Sequence, residues 1–232
     1  MLSGEPAGYT SAMVAPTRTL IPAAGPTPND IVRRLGIGPV RFSLADALEM
    51  VERGILPEDA TIELLNGELV YRDRFDLQGD QIVEGVRHNY VVTALANLSG
   101  RVNTDRRHLR TQSTLVCGED SAPIPDAMIL RGTLRDYRDR LPAAADAWCV
   151  VEVADSSYER DAGDKRRTYA AAGVGQYVII NLRTRTADVY TNPDRATGTY
   201  PPPLVVQPGQ TLPLTVGGEG ETFGVPLDDV LP

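Results

Sequence analysis

A chain of 232 residues with 42% hydrophobic content holds one globular domain plus extensions. No apolar run is long enough to span a bilayer, and the first residues lack the basic and apolar regions of a secretory signal, so a cytoplasmic protein without a membrane partner is expected. The net charge of −8 argues against a general nucleic-acid binder, which carries a basic excess.

Residues 1 to 38 are rich in Pro, Ala, Gly and Thr and show no sustained period. They predict a flexible N-terminal arm with at most a helical turn around residues 30 to 35, and residues 39 to 232 then form a single domain. Ser43 opens a predicted helix as its N-cap, ending near Gly54. Asn66-Gly67 between alternating apolar flanks predicts a two-residue hairpin. In that register Leu65 faces Glu68, Glu63 faces Val70 and Thr61 faces Arg72. Glu63 and Glu68 then share one face, which by pattern alone is a solvated outer face, while Ile62, Leu64, Leu69 and Tyr71 form the apolar one.

A helical period starts at His88 and runs to Leu98, with Gly100 as its stop. Strands are predicted near residues 108 to 117, 125 to 130 and 147 to 154, with His108 in an Arg-rich turn at the surface. Residues 131 to 145 form a charged loop with a helical turn. A helix follows from residue 158 or 159 to 172, closed by Gly173. Along it Asp161, Lys165 and Thr168 or Tyr169 share one face by i, i+4 spacing. Residues 176 to 182 and 187 to 191 are further strands, and the Pro- and Gly-rich tail adds short strands such as residues 204 to 206. Cys117 and Cys149 are isolated and read as buried thiols. Without CxxC or a His-rich cluster, structural zinc is not expected.

Lys165 is the only lysine among 23 Lys and Arg residues. Arg is a planar fork that stays charged, whereas Lys is a compact point charge whose pKa moves readily. A single retained lysine is either a chance survivor of Arg bias or a group that a site requires. Two acids interrupt apolar strands nearby. Glu152 is the one charge inside residues 147 to 154, and a carboxylate is rarely buried without a partner. It therefore meets a cation, a metal or an open cleft. Asp126 stands at the head of the strand after Pro125, either as a turn residue or as part of the same site. An acidic pair with one ammonium suits metal-assisted phosphodiester cleavage, because carboxylates hold hard cations and an ammonium neutralises developing charge. Charge distribution fits. Residues 42 to 84 carry eleven acids against three arginines, while residues 160 to 185 carry six basic residues against two acids. The alternative is that Arg166 and Arg167 merely form a solvated helix face.

At these residues the sequence resembles the PD-(D/E)XK nuclease superfamily, and more closely its Uma-type group of restriction endonuclease-like proteins. The matching stretches are Ile62 through Val70, His88 at a helix start, Pro125-Asp126, Val151 through Ser157, Asp161 through Lys165, Tyr169-Ala170, and Gly173 through Tyr177. They span roughly residues 42 to 192. The superfamily's usual lysine two residues after the second acid is here Ala154, so the pattern departs locally. In the Uma-type group the lysine comes from the following helix, where Lys165 fits.

The resemblance implies an α/β fold (α+β by some schemes), a restriction-endonuclease-like mixed β-sheet flanked by helices, with an N-terminal hairpin and C-terminal strands added. It implies Asp126 and Glu152 as metal-binding carboxylates for Mg2+ or Mn2+, Lys165 as the catalytic ammonium, and Glu63 as a further acid. His88 and Asp161 support the site. The implied activity is metal-dependent cleavage of DNA, and a homodimer is compatible with cutting two strands. Two other readings stay open: a non-catalytic module binding nucleic acid or protein on the same scaffold, and a hydrolase of small phosphoesters. Neither the P-loop nor the Rossmann glycine fingerprint occurs.

Overall fold

The computed structural model describes residues 40–57, 62–71, 74–75, 81–82 and 85–232. The arm over residues 1 to 38, the turn near residues 30 to 35 and the Thr61/Arg72 pair lie outside them.

Helix α1, Leu44–Glu52, begins at Ser43. The Ser43 hydroxyl accepts from the Asp46 amide at 3.1 Å, and the Ser43 amide donates to the Asp46 carboxylate at 2.7 Å, closing a reciprocal cap. Strands β1, Ile62–Leu65, and β2, Glu68–Tyr71, pair antiparallel with Leu65 opposite Glu68 and Glu63 opposite Val70, as the sequence predicts. Asn66 and Gly67 have φ of 51° and 76°. Both central residues are left-handed, as a tight hairpin turn matched to the strand twist requires. A small antiparallel ladder, β3 (Arg74–Phe75) with β4 (Gln81–Ile82), follows.

Helix α2, Val86–Asn97, begins two residues before His88. Gly100 does not stop it. It lies inside a further helical turn, α3, Ser99–Val102, because the buried Leu98 and Val102 keep the chain against the sheet through that point.

The central sheet has six strands in the order β10-β9-β8-β7-β6-β5. These are β5 (Arg107–Thr111), β6 (Ala127–Arg131), β7 (Ala147–Ala154), β8 (Gln176–Asn181), β9 (Thr186–Thr191) and β10 (Leu204–Val206). Only β7 and β8 are parallel; the other neighbours are antiparallel. The strand predicted to reach residue 117 ends at Thr111, and the chain beyond is held by single contacts such as Val116 with Ala143. The charged loop after β6 carries two 3-10 turns, Leu134–Tyr137 and Ala144–Asp146. His108 is buried rather than superficial. Its Nδ1 lies 3.0 Å from the Gly132 carbonyl and its ring 5.3 Å from that of Tyr137.

The parallel step from β7 to β8 needs a crossover, and a helix supplies it. An α-helical turn Tyr158–Arg160, a π-helical segment Asp161–Lys165 and an α-helix Arg166–Ala172 follow without a break and together form α4. Gly173, at φ 82°, caps it in the left-handed conformation.

Both sheet faces are covered. On one, Val91, Leu95 and Leu98 of the α2 region pack with Ile129, Cys149, Val151 and Val153. That face is completed by the C-terminal hairpin of β11, Thr211–Thr215, and β12, Thr222–Pro226, through Leu212, Leu214 and Val225. On the other, Tyr169 and Ala170 of α4 pack with Met128, Leu130, Val150, Ala154, Tyr177 and Ile179. Strand alternation puts Glu152 in step with Val150 and Ala154, toward α4. Among the described residues no helix is long and apolar enough to cross a membrane.

Candidate active site

Four separate elements bring their charged side chains together at the C-terminal part of β7. The first is the β1–β2 hairpin. Its turn and β1 bind the segment before β6: Gly67 N donates to Asp120 O, Ala122 N to Leu64 O, and the Asn66 amide to the Ser121 hydroxyl. Pro123 and Pro125 have no amide hydrogen, so Ile124 is the free donor between them. Its amide donates to Glu63 Oε1 at 2.8 Å. Glu63 is therefore fully buried, at 0% exposure, and the solvated face expected from alternation is corrected. Glu68, on the same face beyond the turn, remains exposed.

Asp126 immediately precedes β6, whose Ala127 pairs with Val151 of β7. Asp126 thus sits across from Glu152. Its Oδ2 accepts from the Val153 amide at 2.7 Å and lies 3.2 Å from His88 Nε2 at the start of α2.

The third element, α4, supplies Asp161, Lys165 and Tyr169. Successive i, i+4 steps on an α-helix drift around its axis by about 40° each, because 3.6 residues make a turn. The wider π turn over Asp161–Lys165 takes back that drift, so all three face the sheet. Lys165, 1% exposed, places Nζ 2.8 Å from Glu63 Oε1 and 3.0 Å from Glu152 Oε1. The Tyr169 hydroxyl donates to the same Glu152 oxygen at 2.7 Å. The carboxylate of Asp161 accepts from the Ser157 hydroxyl at 2.6 Å, and its backbone carbonyl accepts from the Tyr177 hydroxyl at 3.0 Å.

The electrostatics are unbalanced. Burial pushes Glu152 up to about 8; Lys165 opposes this, and Asp126, Asp161 and Glu63 reinforce it. Burial likewise raises Asp161 against the pull of Lys165, Ser157 and Arg160. For Lys165, burial works against the charge, yet Glu152, Glu63 and Asp161 outweigh it and hold the ammonium protonated. Glu63, Glu152 and Asp161 act on that one ammonium and Asp126 acts on Glu152, so carboxyl groups outnumber the buried cation, a surplus that becomes negative charge as Glu152 ionises.

That surplus suits a hard cation. All the donors are oxygens of the kind that magnesium and manganese prefer. Glu63 Oε2 is buried with no hydrogen-bond partner. Among the described residues no group of three or more His, Cys, Asp or Glu side chains is arranged to hold a metal ion. Magnesium does not need one, since it usually binds one or two carboxylates and completes its shell with water and phosphate oxygens. The oxygen side chains present therefore fit such an ion.

Every residue that the sequence singles out for the site, Glu63, His88, Asp126, Glu152, Asp161 and Lys165, lies in this cluster. Tyr169 enters the sequence reading as a residue on the lysine face and in the Tyr169-Ala170 match, and its hydroxyl contact with Glu152 goes beyond both. The signal available was its position four residues after Lys165.

Residues 48–222 match the family Uma2, described as "Putative restriction endonuclease". The chain belongs to this family. The Uma-type resemblance read from the sequence is thereby borne out, and all six site residues fall within the matched segment. A likeness of fold also appears in three dimensions. A solved structure described as "a putative nuclease belonging to DUF820 from Anabaena variabilis ATCC 29413" is similar, with a TM-score of 0.60 over 82% of this chain and 97% of that chain. At 14% identity the likeness is one of fold, and it agrees with the mixed sheet flanked by helices expected from the sequence. No curated protein matches the chain.

Proposed function

We propose that this Uma2 family member is a metal-dependent DNA endonuclease that hydrolyses phosphodiester bonds. The observation that carries the reading is the convergence of buried Glu63, Asp126 and Glu152 with the chain's sole lysine in one cluster. Asp126 and Glu152 are the residues that would hold Mg2+ or Mn2+. When bound, such an ion supplies Lewis-acid charge and a water of lowered pKa. Lys165 neutralises charge developing on the phosphate or orients the attacking water. Glu63 shares the ammonium and keeps it at the site. His88 steadies Asp126 and is placed to meet a phosphate, and Asp161 positions Lys165 from one turn away. A homodimer would let two sites cut two strands, and a cytoplasmic location goes with DNA as substrate.

One observation favours a rival. Lys165 is almost wholly enclosed by the two acids, as a structural ion pair in a non-catalytic binding module would be. Purified protein incubated with supercoiled plasmid in magnesium, manganese or EDTA separates the two. Cutting that needs the metal, and that a folded Lys165→Ala protein has lost, is the expected result. Absence of cutting under every condition would shift the reading to the binding module. Cutting retained by Lys165→Ala would point to a contaminant or remove Lys165 from the mechanism.

A further inference from the structure

Both hydrogen bonds that the Glu152 carboxylate accepts end on one of its oxygens. Oε1 takes the Lys165 ammonium at 3.0 Å and the Tyr169 hydroxyl at 2.7 Å. Among the described residues no donor reaches Oε2. The two donors stand four residues apart on α4, so they approach from the same side. Tyr169 is fully buried, with its ring centroid 4.9 Å from that of Tyr177. A ring so packed has little freedom to withdraw its hydroxyl.

We propose that Tyr169 is a positioning residue: with Lys165 it pins Oε1 of Glu152, so that Oε2 is the oxygen offered to a divalent cation. The inference rests on the metal-dependent reading of the site and deepens it. A cation-binding carboxylate held by one oxygen has its orientation set before the ion arrives, which is what outer hydrogen bonds to metal ligands do. The plainer account is a core tyrosine whose hydroxyl takes the nearest acceptor. Tyr177 separates the two accounts. It is equally buried in the same cluster, but its hydroxyl donates to the Asp161 backbone carbonyl and not to Glu152.

The test is Mn2+ titration of the full chain by calorimetry, comparing wild type, Tyr169→Phe and Tyr177→Phe, with a thermal melt of each. Each change removes one hydroxyl and keeps the ring. Tyr169→Phe is expected to bind Mn2+ about 10–100-fold more weakly while still melting cooperatively, the range seen when a ligand's hydrogen-bond partner is removed. Tyr177→Phe is expected to bind as wild type does. Equal affinity in wild type and Tyr169→Phe would overturn the proposal, as would equal losses in both variants, which would mean general loosening of the core. Loss of cooperative melting in Tyr169→Phe alone would assign the hydroxyl to folding and overturn it too. If wild type itself bound no Mn2+, the metal-dependent reading would fail first, and this inference with it.

Discussion

Replacing Lys165 by Met removes the charge and keeps most of the stem. Glu63 Oε1 and Glu152 Oε1, now 2.8 and 3.0 Å from Nζ, would face each other in the interior without a cation between them. Removing one partner of a buried ion pair costs about 3–5 kcal/mol, because the remaining charge is left uncompensated. In a domain of this size each kcal/mol lowers Tm by roughly 2–4 °C, so the expected drop is about 6–20 °C. The drop also depends on pH, and its sign follows from Glu152. Its folded pKa is already raised to about 8 from an ordinary 4.5, with Lys165 the main influence holding it down. Without Lys165 it rises further. A folded group that holds its proton more tightly than the unfolded chain contributes stability below the unfolded pKa and loses it as pH rises. The gap between Lys165→Met and wild type should therefore widen from about pH 8 upward, where wild type ionises Glu152 and the variant still holds its proton, and be smaller at pH 5 to 7. The assay is a circular-dichroism melt at pH 5, 7, 8 and 9. Adding Glu63→Gln and Glu152→Gln to Lys165→Met should recover most of the loss, since replacing a buried pair together is often neutral. Melting of Lys165→Met within experimental error of wild type at pH 8 would refute the claim that the lysine balances the two acids.

Metal and proton compete for Glu152, so the Tm increase given by a fixed Mn2+ concentration should grow from pH 6 to pH 8 as that carboxylate ionises; a flat dependence in scanning calorimetry would remove Glu152 from the ion's ligands. Deleting Gly163 should convert the π segment to a regular helix, leaving Asp161 and Lys165 three residues apart and about 60° out of line. Plasmid cutting should then be lost, and full activity would show that the π turn does not position the site. Lys165→Arg should also abolish cutting and lower Tm, because a planar fork does not fit the place of a compact ammonium; wild-type behaviour in both measurements would count against a specific need for lysine. Far from the site, the Arg131 guanidinium lies 3.3 Å from the centre of the Trp148 ring. Arg131→Ala should cost about 0.5–2 kcal/mol and change the emission of this sole tryptophan, with an unaltered spectrum as the contrary result.

Local chemistry made much of this fold legible. Ser43 with Asp46, Asn66 with Gly67, and Gly173 after an apolar helical face each specify an element boundary by hydrogen bonding or backbone conformation. Burial of Glu63 was not legible, because alternation shows that two strand faces differ and not which of them meets solvent when both are covered. The decisive partner, the Ile124 amide, lies 61 residues away. His108 was misplaced for the same reason, since Arg neighbours suggest exposure while its own strand position points it at Tyr137. The π turn has no signature in residue type. It is stabilised by the contacts that Lys165 makes across to Glu63 of β1 and Glu152 of β7.

The place of the lysine explains why only one is kept. Among the described residues arginines form exposed or half-exposed pairs, such as Arg138 with Asp139 and Arg140 with Asp146, where a large delocalised cation stays partly hydrated. Among the described residues no arginine is buried as Lys165 is. Moving the lysine from β7, where Ala154 stands, to α4 puts its long stem in the layer between helix and sheet. From there a single Nζ reaches carboxylates on two strands that are not neighbours, Glu63 of β1 and Glu152 of β7. A lysine at position 154 would project from the same strand as Glu152, and the hairpin would have no buried charge to close upon. The helical lysine therefore joins the N-terminal hairpin to the central sheet with one side chain, and in the proposed mechanism stability and chemistry are tied to the same atom.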